Sequence, residues 1–170
     1  MRRVCYGLVS LFCAVLLGCT GIPDGIEPVT DFDQERYLGT WYEIARLDHS
    51  FERGLSEVTA TYSTNPDGSI AVLNRGFDAA EGRWREAEGV AHFVGPPTVA
   101  HLKVSFFGPF YGSYIVFGLG ENYEHAFVSG FNHDYLWLLS RSPEVSEALR
   151  ERFLETIIDL GFAPDDLVWL

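Results

Sequence analysis

Residues 33–46, DQERYLGTWYEIAR, contain the feature on which the fold of this 170-residue chain depends. After Gly39 the stretch continues with aromatic and aliphatic residues, which favours a β-strand over residues 40–48. Side chains alternate between the two faces of a strand, so the face taken by Trp41 sets the direction of its neighbours. We expect this first strand to start after Gly39.

Seven more strand-like runs follow, each ended by residues that favour turns. Examples are the clusters at residues 65–68 (NPDG) and 95–97 (GPP). Gly permits a positive φ, Asn and Asp favour turns, and Pro lacks the backbone N–H that strand pairing needs, so such clusters end a strand. Eight antiparallel strands joined by short turns close most simply as an all-β, up-and-down barrel, whose interior can hold one small ligand. The seven further strands are predicted at residues 58–64, 69–77, 84–94, 100–107, 113–119, 125–131 and 135–140.

The hydrophobic period changes from strand to helix after residue 141. Ser142 is predicted as the N-cap and Pro143 as the first helical residue, with Gly161 as the stop. A helix with one apolar face must pack on the outside of the sheet, and residues 167–169 could add a short final strand. The apolar helical face is predicted to comprise Val145, Leu149, Phe153, Ile157 and Leu160.

A second motif, DYLWLLSR at residues 134–141, completes a recognisable pair with the first. Together they resemble the lipocalin family, which carries a Gly-x-Trp signature and a final-strand motif ending in Arg. The resemblance covers residues 31–170 and implies an eight-stranded antiparallel up-and-down β-barrel with one C-terminal α-helix packed outside. It also implies structural roles for Gly39, Trp41 and Arg141, with Trp41 plugging the closed end and the Arg141 guanidinium lying across its ring.

Two further stretches narrow the resemblance. FERGL at residues 51–55 and KVSFFGPFYG at residues 103–112 are similar to the bacterial outer-membrane lipoprotein lipocalins. This implies binding, and transport or storage, of fatty acids or lysophospholipids, in an envelope maintenance or stress role.

The N-terminus is predicted to be a lipoprotein signal peptide over residues 1–18. Arg2 and Arg3 precede an apolar run that is shorter than the ~20 residues of a membrane-spanning helix. The run ends in LLGC at residues 16–19, which resembles the bacterial lipoprotein box with Cys19 as the lipidated residue. An ordinary signal peptide with a chance cysteine is the alternative.

This box divides the chain into three parts and implies a location. Residues 19–32 are expected to hold the lipidated Cys19 and a tether, and residues 33–170 the barrel and helix. Thr20, which follows the cysteine, resembles an outer-membrane sorting signal. We therefore expect anchoring through Cys19 in the outer membrane, with the barrel facing the periplasm.

Strand alternation assigns the side chains that line the barrel, and most of them are apolar or aromatic, as expected for an acyl-chain pocket. A barrel filled by its own side chains is the alternative. The predicted ligand-binding residues are Val58, Ala60, Tyr62, Val72, Asn74, Ala87, Glu88, Ala91, Phe93, Leu102, Val104, Phe106, Tyr114, Val116, Ala126, Val128, Tyr135, Trp137 and Leu139. Besides Glu88, the candidates for contact with a polar headgroup are Arg46, Arg53, Arg85 and Lys103, although a charge of this kind is more often simply solvated.

The stretch FGPFY at residues 107–111 is unusually apolar for a hairpin tip. The resemblance places it at the open end of the barrel. Exposed aromatic residues of this kind mark a contact with a membrane or a protein. We expect it to touch a bilayer or a second subunit in a homodimer; packing over the mouth as a lid is the alternative.

Charge and composition exclude several functions. The formal net charge of −12 opposes binding to nucleic acid, whose affinity for proteins depends on Lys and Arg. The three cysteines all lie within the first 19 residues, and the five histidines show no metal-ligand spacing. No nucleophile motif or phosphate loop is present, so we expect no catalytic residue, cofactor or metal.

The predicted function is therefore non-catalytic binding of an amphipathic lipid. Two other functions remain open at this point: a carrier of a cyclic pigment or sterol-like ligand, and a structural or interaction lipoprotein whose cavity is incidental. A few relatives of such proteins are enzymes, and turnover of a lipid by the purified protein would favour that reading.

Overall fold

Antiparallel hydrogen bonding closes the strands of this protein into a barrel in the computed structural model, which describes residues 20–170. The sheet order is β2-β3-β4-β5-β6-β7-β8-β1, and pairing of β1 with β2 completes the circle. A ninth strand pairs with β1 outside the barrel. The strands are β1 Gly39–Leu47, β2 Leu55–Thr64, β3 Ile70–Asp78, β4 Arg83–Phe93, β5 His101–Phe107, β6 Phe110–Leu119, β7 His125–Ser129, β8 Leu136–Ser140 and β9 Leu167–Trp169.

The eight-stranded barrel, the outer helix and the short last strand were all predicted correctly. The helices are α1 Gln34–Tyr37, which the sequence did not predict, and α2 Glu147–Asp159, with a 3₁₀ turn at Pro164–Asp166. Residues 20–170 contain nine paired strands and two apolar cores, which this part of the chain needs to fold on its own. The predicted signal peptide and the predicted lipidation site Cys19 lie outside the described residues.

The predicted hairpin tip at residues 107–111 is shorter than expected. Phe107 pairs with Phe110, so only Gly108 and Pro109 form the turn, and β6 begins at Phe110 instead of residue 113. The two phenylalanines are about 70% exposed, at 70% and 71%, whereas Tyr111 is half-buried and its ring lies 5.0 Å from the Lys103 ammonium. The exposed aromatic surface of this hairpin is therefore Phe107 and Phe110.

Alternation along the strands produces two apolar cores. In β8, Trp137 and Leu139 face the barrel interior, while Leu136 and Leu138 face outwards. The outer core lies between the barrel and α2, where Phe153 and Ile157 are completely buried. Its buried members are Ile26, Ile44, Ala45, Leu47, Ile115, Phe127, Leu136, Leu138, Phe153, Ile157 and Phe162.

The helix α2 starts later than predicted. Its N-cap is Ser146, whose side chain accepts a hydrogen bond from Leu149 N, whereas the Ser142 hydroxyl accepts from Glu144 N in a local turn. The competing turn explains the error, since serine hydroxyls bond to backbone N–H groups in both settings. The predicted stop is correct: Gly161 has φ +83°, and Phe162 N donates to Ile157 O.

The segment before the barrel packs on its surface instead of hanging free as a tether. Ile26 and Phe32 are buried, and Val29 joins the barrel by accepting from Ala100 N and donating to Val116 O, each at 2.9 Å. From Ile26 onwards the chain is therefore part of the folded barrel.

One end of the barrel is closed by Trp41 and Arg141. The guanidinium carbon of Arg141 lies 3.9 Å from the Trp41 ring centre, as the family resemblance implies. Arg141 also donates to the backbone oxygens of Arg36, Tyr37, Leu38, Thr40 and Tyr123. Because β1 runs away from this plug, the β1–β2, β3–β4, β5–β6 and β7–β8 loops lie at the open end.

Replacing the closing cation should destabilise the barrel. We expect Arg141→Ala to lower the free energy of unfolding by about 2–4 kcal/mol, since the carbonyls and the indole ring lose their cationic partner. Urea unfolding followed by circular dichroism would measure it. The exposed Arg83, paired only with Glu81, is the control: Arg83→Ala should cost less than about 1 kcal/mol, and equal costs for the two variants would contradict this role for Arg141.

Candidate functional site

The barrel interior contains a cavity of about 110 Å³. This is smaller than the ~300–1,000 Å³ of sites for drug-sized ligands, so a long ligand would extend through the mouth. The lining residues are Phe32, Gln34, Tyr37, Leu38, Glu43, Glu52, Val58, Ala60, Tyr62, Ile70, Val72, Asn74, Ala91, Leu102, Val104, Phe106, Ser113, Tyr114, Trp137 and Leu139.

Strand alternation correctly located most of this wall, although no bound ligand tests the role of its residues. The predicted residues that the structure brings together around the cavity are Val58, Ala60, Tyr62, Val72, Asn74, Ala91, Leu102, Val104, Phe106, Tyr114, Trp137 and Leu139. Four others point into the barrel but belong to its packed core and do not line the cavity: Phe93, Val116, Ala126 and Val128. The interior is thus partly filled by its own side chains and partly open.

Ala87 and Glu88 lie away from the cavity. The β4 strand pairs with β5 only from Val90 to Phe93, so its earlier part forms an exposed hairpin with β3. Ala87 shares the inward face with its partner Asn74 but stands in this exposed part. Glu88 is exposed on the opposite face and does not line the cavity, so its contact with a headgroup stays a prediction.

Tyr135 lies at the rim and not in the cavity wall. It precedes β8 in the β7–β8 loop, where its ring centre is 5.2 Å from that of Phe131 and 5.7 Å from that of His49. Strand alternation does not apply at this position, since the residue is outside the ladder.

A polar cluster forms one wall of the cavity, and sequence reasoning largely missed it. Arg46 Nη1 donates to Glu43 Oε1 at 2.6 Å, and Arg46 Nη2 donates to the backbone oxygens of Glu52 and Leu55. Trp137 Nε1 donates to Glu52 Oε2 at 3.1 Å. The side chain of Arg46 is 2% exposed, so it is a buried structural cation and not the free headgroup ligand that was expected.

The sequence held part of the signal for this cluster. Glu43 lies two residues after Trp41 and therefore shares its inward face. Strict alternation would turn Arg46 outwards, but the β1–β8 register shifts between Glu43 and Ala45 and brings it inside. Glu52 comes from the β1–β2 loop, where no periodic pattern could predict its direction.

The pKa values of the two carboxyls in this wall, Glu43 and Glu52, are shifted in opposite directions. Burial raises the pKa of Glu43 to about 8; Glu52 adds to the shift and Arg46 opposes it. Burial alone would also raise the pKa of Glu52, but hydrogen bonds from His49 and Trp137 and the charge of Arg46 outweigh it and lower the pKa. At neutral pH Glu43 therefore holds a proton and Glu52 is ionised.

Three tyrosines form a second polar group deeper in the cavity. Tyr114 Oη lies 2.7 Å from Tyr37 Oη and accepts from Tyr62 Oη at 3.0 Å. Burial raises the pKa of all three phenols, so they stay neutral. Three hydroxyl hydrogens share two hydrogen bonds, so one O–H is not used between the tyrosines.

The N-terminal segment and α1 supply lining residues that no strand pattern could indicate, among them Phe32 and Tyr37. Within residues 20–170, no group of three acidic, histidine or cysteine side chains is arranged to hold a metal ion. No helix in that same part of the chain is long and apolar enough to cross a membrane.

Comparison with known proteins agrees with this geometry. A family model described as a lipocalin-like domain matches residues 32–170. The chain belongs to the lipocalin family. Insecticyanin from the tobacco hornworm, a solved structure, matches this lipocalin with a TM-score of 0.69 at 20% identity, covering 88% of this chain and 85% of that one, which shows a shared fold.

Several related sequences are much more similar to this lipocalin. The outer membrane lipoprotein Blc of Vibrio cholerae is 56% identical over 162 residues, which are 94% of this chain and 95% of the relative. Its namesake in Escherichia coli K12 is 51% identical over 161 residues, covering 95% and 91%. Over nearly their whole length these relatives match this lipocalin, which is accordingly a lipid-anchored protein of the outer membrane.

The proton on Glu43 should make the stability of this lipocalin depend on pH. The folded protein holds that proton up to about pH 8, while an unfolded carboxyl loses it near 4.5. The resulting stabilisation is complete below 4.5 and is lost as the pH rises through 8. Between about pH 5 and pH 9 we expect the free energy of unfolding to fall by on the order of 2–4 kcal/mol.

The variant Glu43→Gln, which keeps an acceptor for Arg46, should remove most of this decline. Urea unfolding at a series of pH values would measure it, with the exposed Glu88→Gln as the control that leaves the decline intact. An unchanged pH dependence in Glu43→Gln would contradict the assignment of the proton to Glu43.

Proposed function

We propose that this lipocalin binds single-chain amphipathic lipids, fatty acids or lysophospholipids, without catalysis, and transports or stores them in the bacterial envelope. Lipocalins bind hydrophobic ligands, and the single observation that supports a lipid here is the composition of the cavity. One wall, from β4 to β6, presents only Ala91, Leu102, Val104, Phe106 and Tyr114 together with Ser113, whereas the wall beside β1 and the β1–β2 loop is polar. A molecule with an apolar chain and one polar end satisfies both walls.

The size of the cavity supports a flexible chain over a rigid ring. At about 110 Å³ it admits part of an acyl chain, whereas a large cyclic pigment would require the packed core to rearrange. Burying about eight methylenes of the chain contributes roughly 6 kcal/mol to the free energy of binding. The entropy lost when the chain is ordered and when the two molecules associate opposes this contribution. Because micromolar binding requires about 8 kcal/mol, the polar end of the lipid and the part of the chain at the mouth must supply the rest.

The exposed aromatic side chains around the mouth of the barrel also support uptake of the lipid from a membrane. The three most exposed aromatic side chains among the described residues stand at the open end: Phe51 on the β1–β2 loop at 68% exposure, and Phe107 and Phe110 on the β5–β6 hairpin. We propose that they contact the bilayer in which Cys19 is anchored, with the barrel on the periplasmic side. Dimerisation through the same surface is the competing outcome.

Trp137 should be essential for lipid binding, because its ring lines the cavity beside Glu52. In a displacement titration with a fluorescent fatty acid, we expect Trp137→Asp to weaken binding of palmitate and of a lysophospholipid at least tenfold, since a charge would oppose burial of the chain. Near-UV circular dichroism would check the fold. Trp84→Asp on the exposed β3–β4 hairpin is the control, and an unchanged affinity in Trp137→Asp would refute the pocket assignment.

The exposed aromatics of the β5–β6 hairpin should govern association with vesicles. We expect the double variant Phe107→Ser and Phe110→Ser of residues 20–170 to reduce co-sedimentation with phosphatidylethanolamine–phosphatidylglycerol liposomes several-fold, as less apolar area enters the bilayer. Trp169→Ser, at the far side of the barrel on β9, is the control. Loss of a dimer in sedimentation analysis, with unchanged liposome binding, would instead assign the surface to a second copy.

A further inference from the structure

We infer that Glu43 and Glu52 form a subsite for the ammonium group of a single-chain amphiphile, so that this lipocalin prefers ligands ending in an amine to free fatty acids. The inference rests on the proposed function, because it assigns the polar end of the lipid that the cavity would hold. It depends on the charges at the wall, the unused acceptors and the position of Arg46.

The charged side chains that line the cavity are all acidic. Glu43 and Glu52 belong to the lining, and no Lys, Arg or His side chain does among the described residues. A fatty-acid carboxylate placed beside this wall would face the ionised Glu52 with no cation in reach, and buried like charges repel strongly. An ammonium would face an opposite charge in a medium of low dielectric constant.

The charge of the nearest cation, Arg46, is balanced by the ionised Glu52, because Glu43 holds a proton. Arg46 donates a hydrogen bond from Nη1 to Glu43 and from Nη2 to the backbone oxygens of Glu52 and Leu55. Its side chain is buried and does not line the cavity. The guanidinium therefore holds the acidic wall and the β1–β2 loop together instead of presenting charge to the cavity. This excludes the simplest way in which the barrel could bind a carboxylate.

The acceptors at the wall have capacity for additional donors. Protein N–H groups donate to Glu43 Oε1 and to Glu52 Oε2, and the two carboxyls share a further hydrogen bond through the proton on Glu43, which an ammonium would replace with its own donors. Asn74 Oδ1, which also belongs to the lining, is buried without a hydrogen-bond partner. An ammonium carries three N–H donors and no acceptor, whereas a carboxylate carries only acceptors.

The proton held by Glu43 agrees with this assignment. Glu43 is neutral because Glu52 and burial oppose its ionisation, so an incoming ammonium can supply the positive charge that the proton now provides. The groups that face this carboxyl are Arg46, Glu52 and, at longer range, Tyr62.

The test compares ligands that share one chain and differ only in the polar end. Residues 20–170 are titrated, below the critical micelle concentrations, with hexadecylamine, hexadecanol and palmitate, using displacement of a fluorescent fatty acid. We expect hexadecylamine to bind at least about tenfold more tightly than palmitate, with hexadecanol between them. Equal or tighter binding of palmitate would overturn the inference.

A second set of titrations distinguishes two sources of the ammonium group, a phospholipid headgroup and a simple long-chain amine. Lysophosphatidylethanolamine and lysophosphatidylglycerol with the same acyl chain differ in the presence of an amine. Preference for the ethanolamine lipid assigns the subsite to a phospholipid headgroup. Preference for hexadecylamine alone, with equal binding of the two phospholipids, assigns it to simple long-chain amines.

Substitutions of the two glutamates test whether they cause the preference for the amine. Glu43→Gln and Glu52→Gln, alone and together, should lower the affinity for hexadecylamine about tenfold and leave that for hexadecanol within twofold. Glu88→Gln, on the outer face, is the matched control, and thermal unfolding checks each fold. Glu43→Gln alone keeps the bond to Arg46 and remains informative if the double variant does not fold.

The outcomes separate the two proposals. An unchanged ratio of amine to palmitate affinity in Glu43→Gln and Glu52→Gln overturns the subsite while leaving lipid binding in place. If none of the five amphiphiles displaces the fluorescent fatty acid or changes the intrinsic tryptophan fluorescence of the protein, the proposed lipid-binding function fails as well.

Discussion

The Arg141 guanidinium stacks 3.9 Å from the Trp41 ring and donates to backbone oxygens on α1, on the start of β1 and on the β6–β7 loop. A barrel needs one closed end if it is to hold a ligand in a blind cavity, and this contact supplies it. It also fixes the direction of the strands: β1 leaves the plug, so every second loop lies at the other end. The position of the cavity, its mouth and the exposed aromatic residues all follow from that direction.

The barrel wall separates two cores with different tasks. The outer core is complete, since α2 and β9 cover it with fully buried Phe153 and Ile157. The inner core is packed around Trp41, Val116, Ala126 and Val128 but leaves a cavity above them. Because the helix stabilises the barrel from outside, the interior can remain partly empty, which is the physical condition for ligand binding.

The polar wall of the cavity is the least expected part of the molecule. Buried charges are costly unless they are paired, and here Arg46, Glu43 and Glu52 pair with one another and with the β1–β2 loop. The same network that secures the loop over the mouth leaves carboxyl oxygens on the cavity side. A structural cluster and a candidate headgroup subsite are therefore made from the same residues.

The sequence by itself determined the strand order, the outer helix with its Gly161 stop, the Trp41–Arg141 pair and most of the apolar wall, because each depends on local periodicity, turn residues or motifs. Tertiary structure alone decided the remainder. A register shift turns Arg46 inwards, the β1–β2 loop brings Glu52 to the cavity, and loss of the β5 partner exposes Ala87 and Glu88. Alternation describes a strand only while its ladder is regular, and loops and bulges take their direction from the packing of the whole barrel.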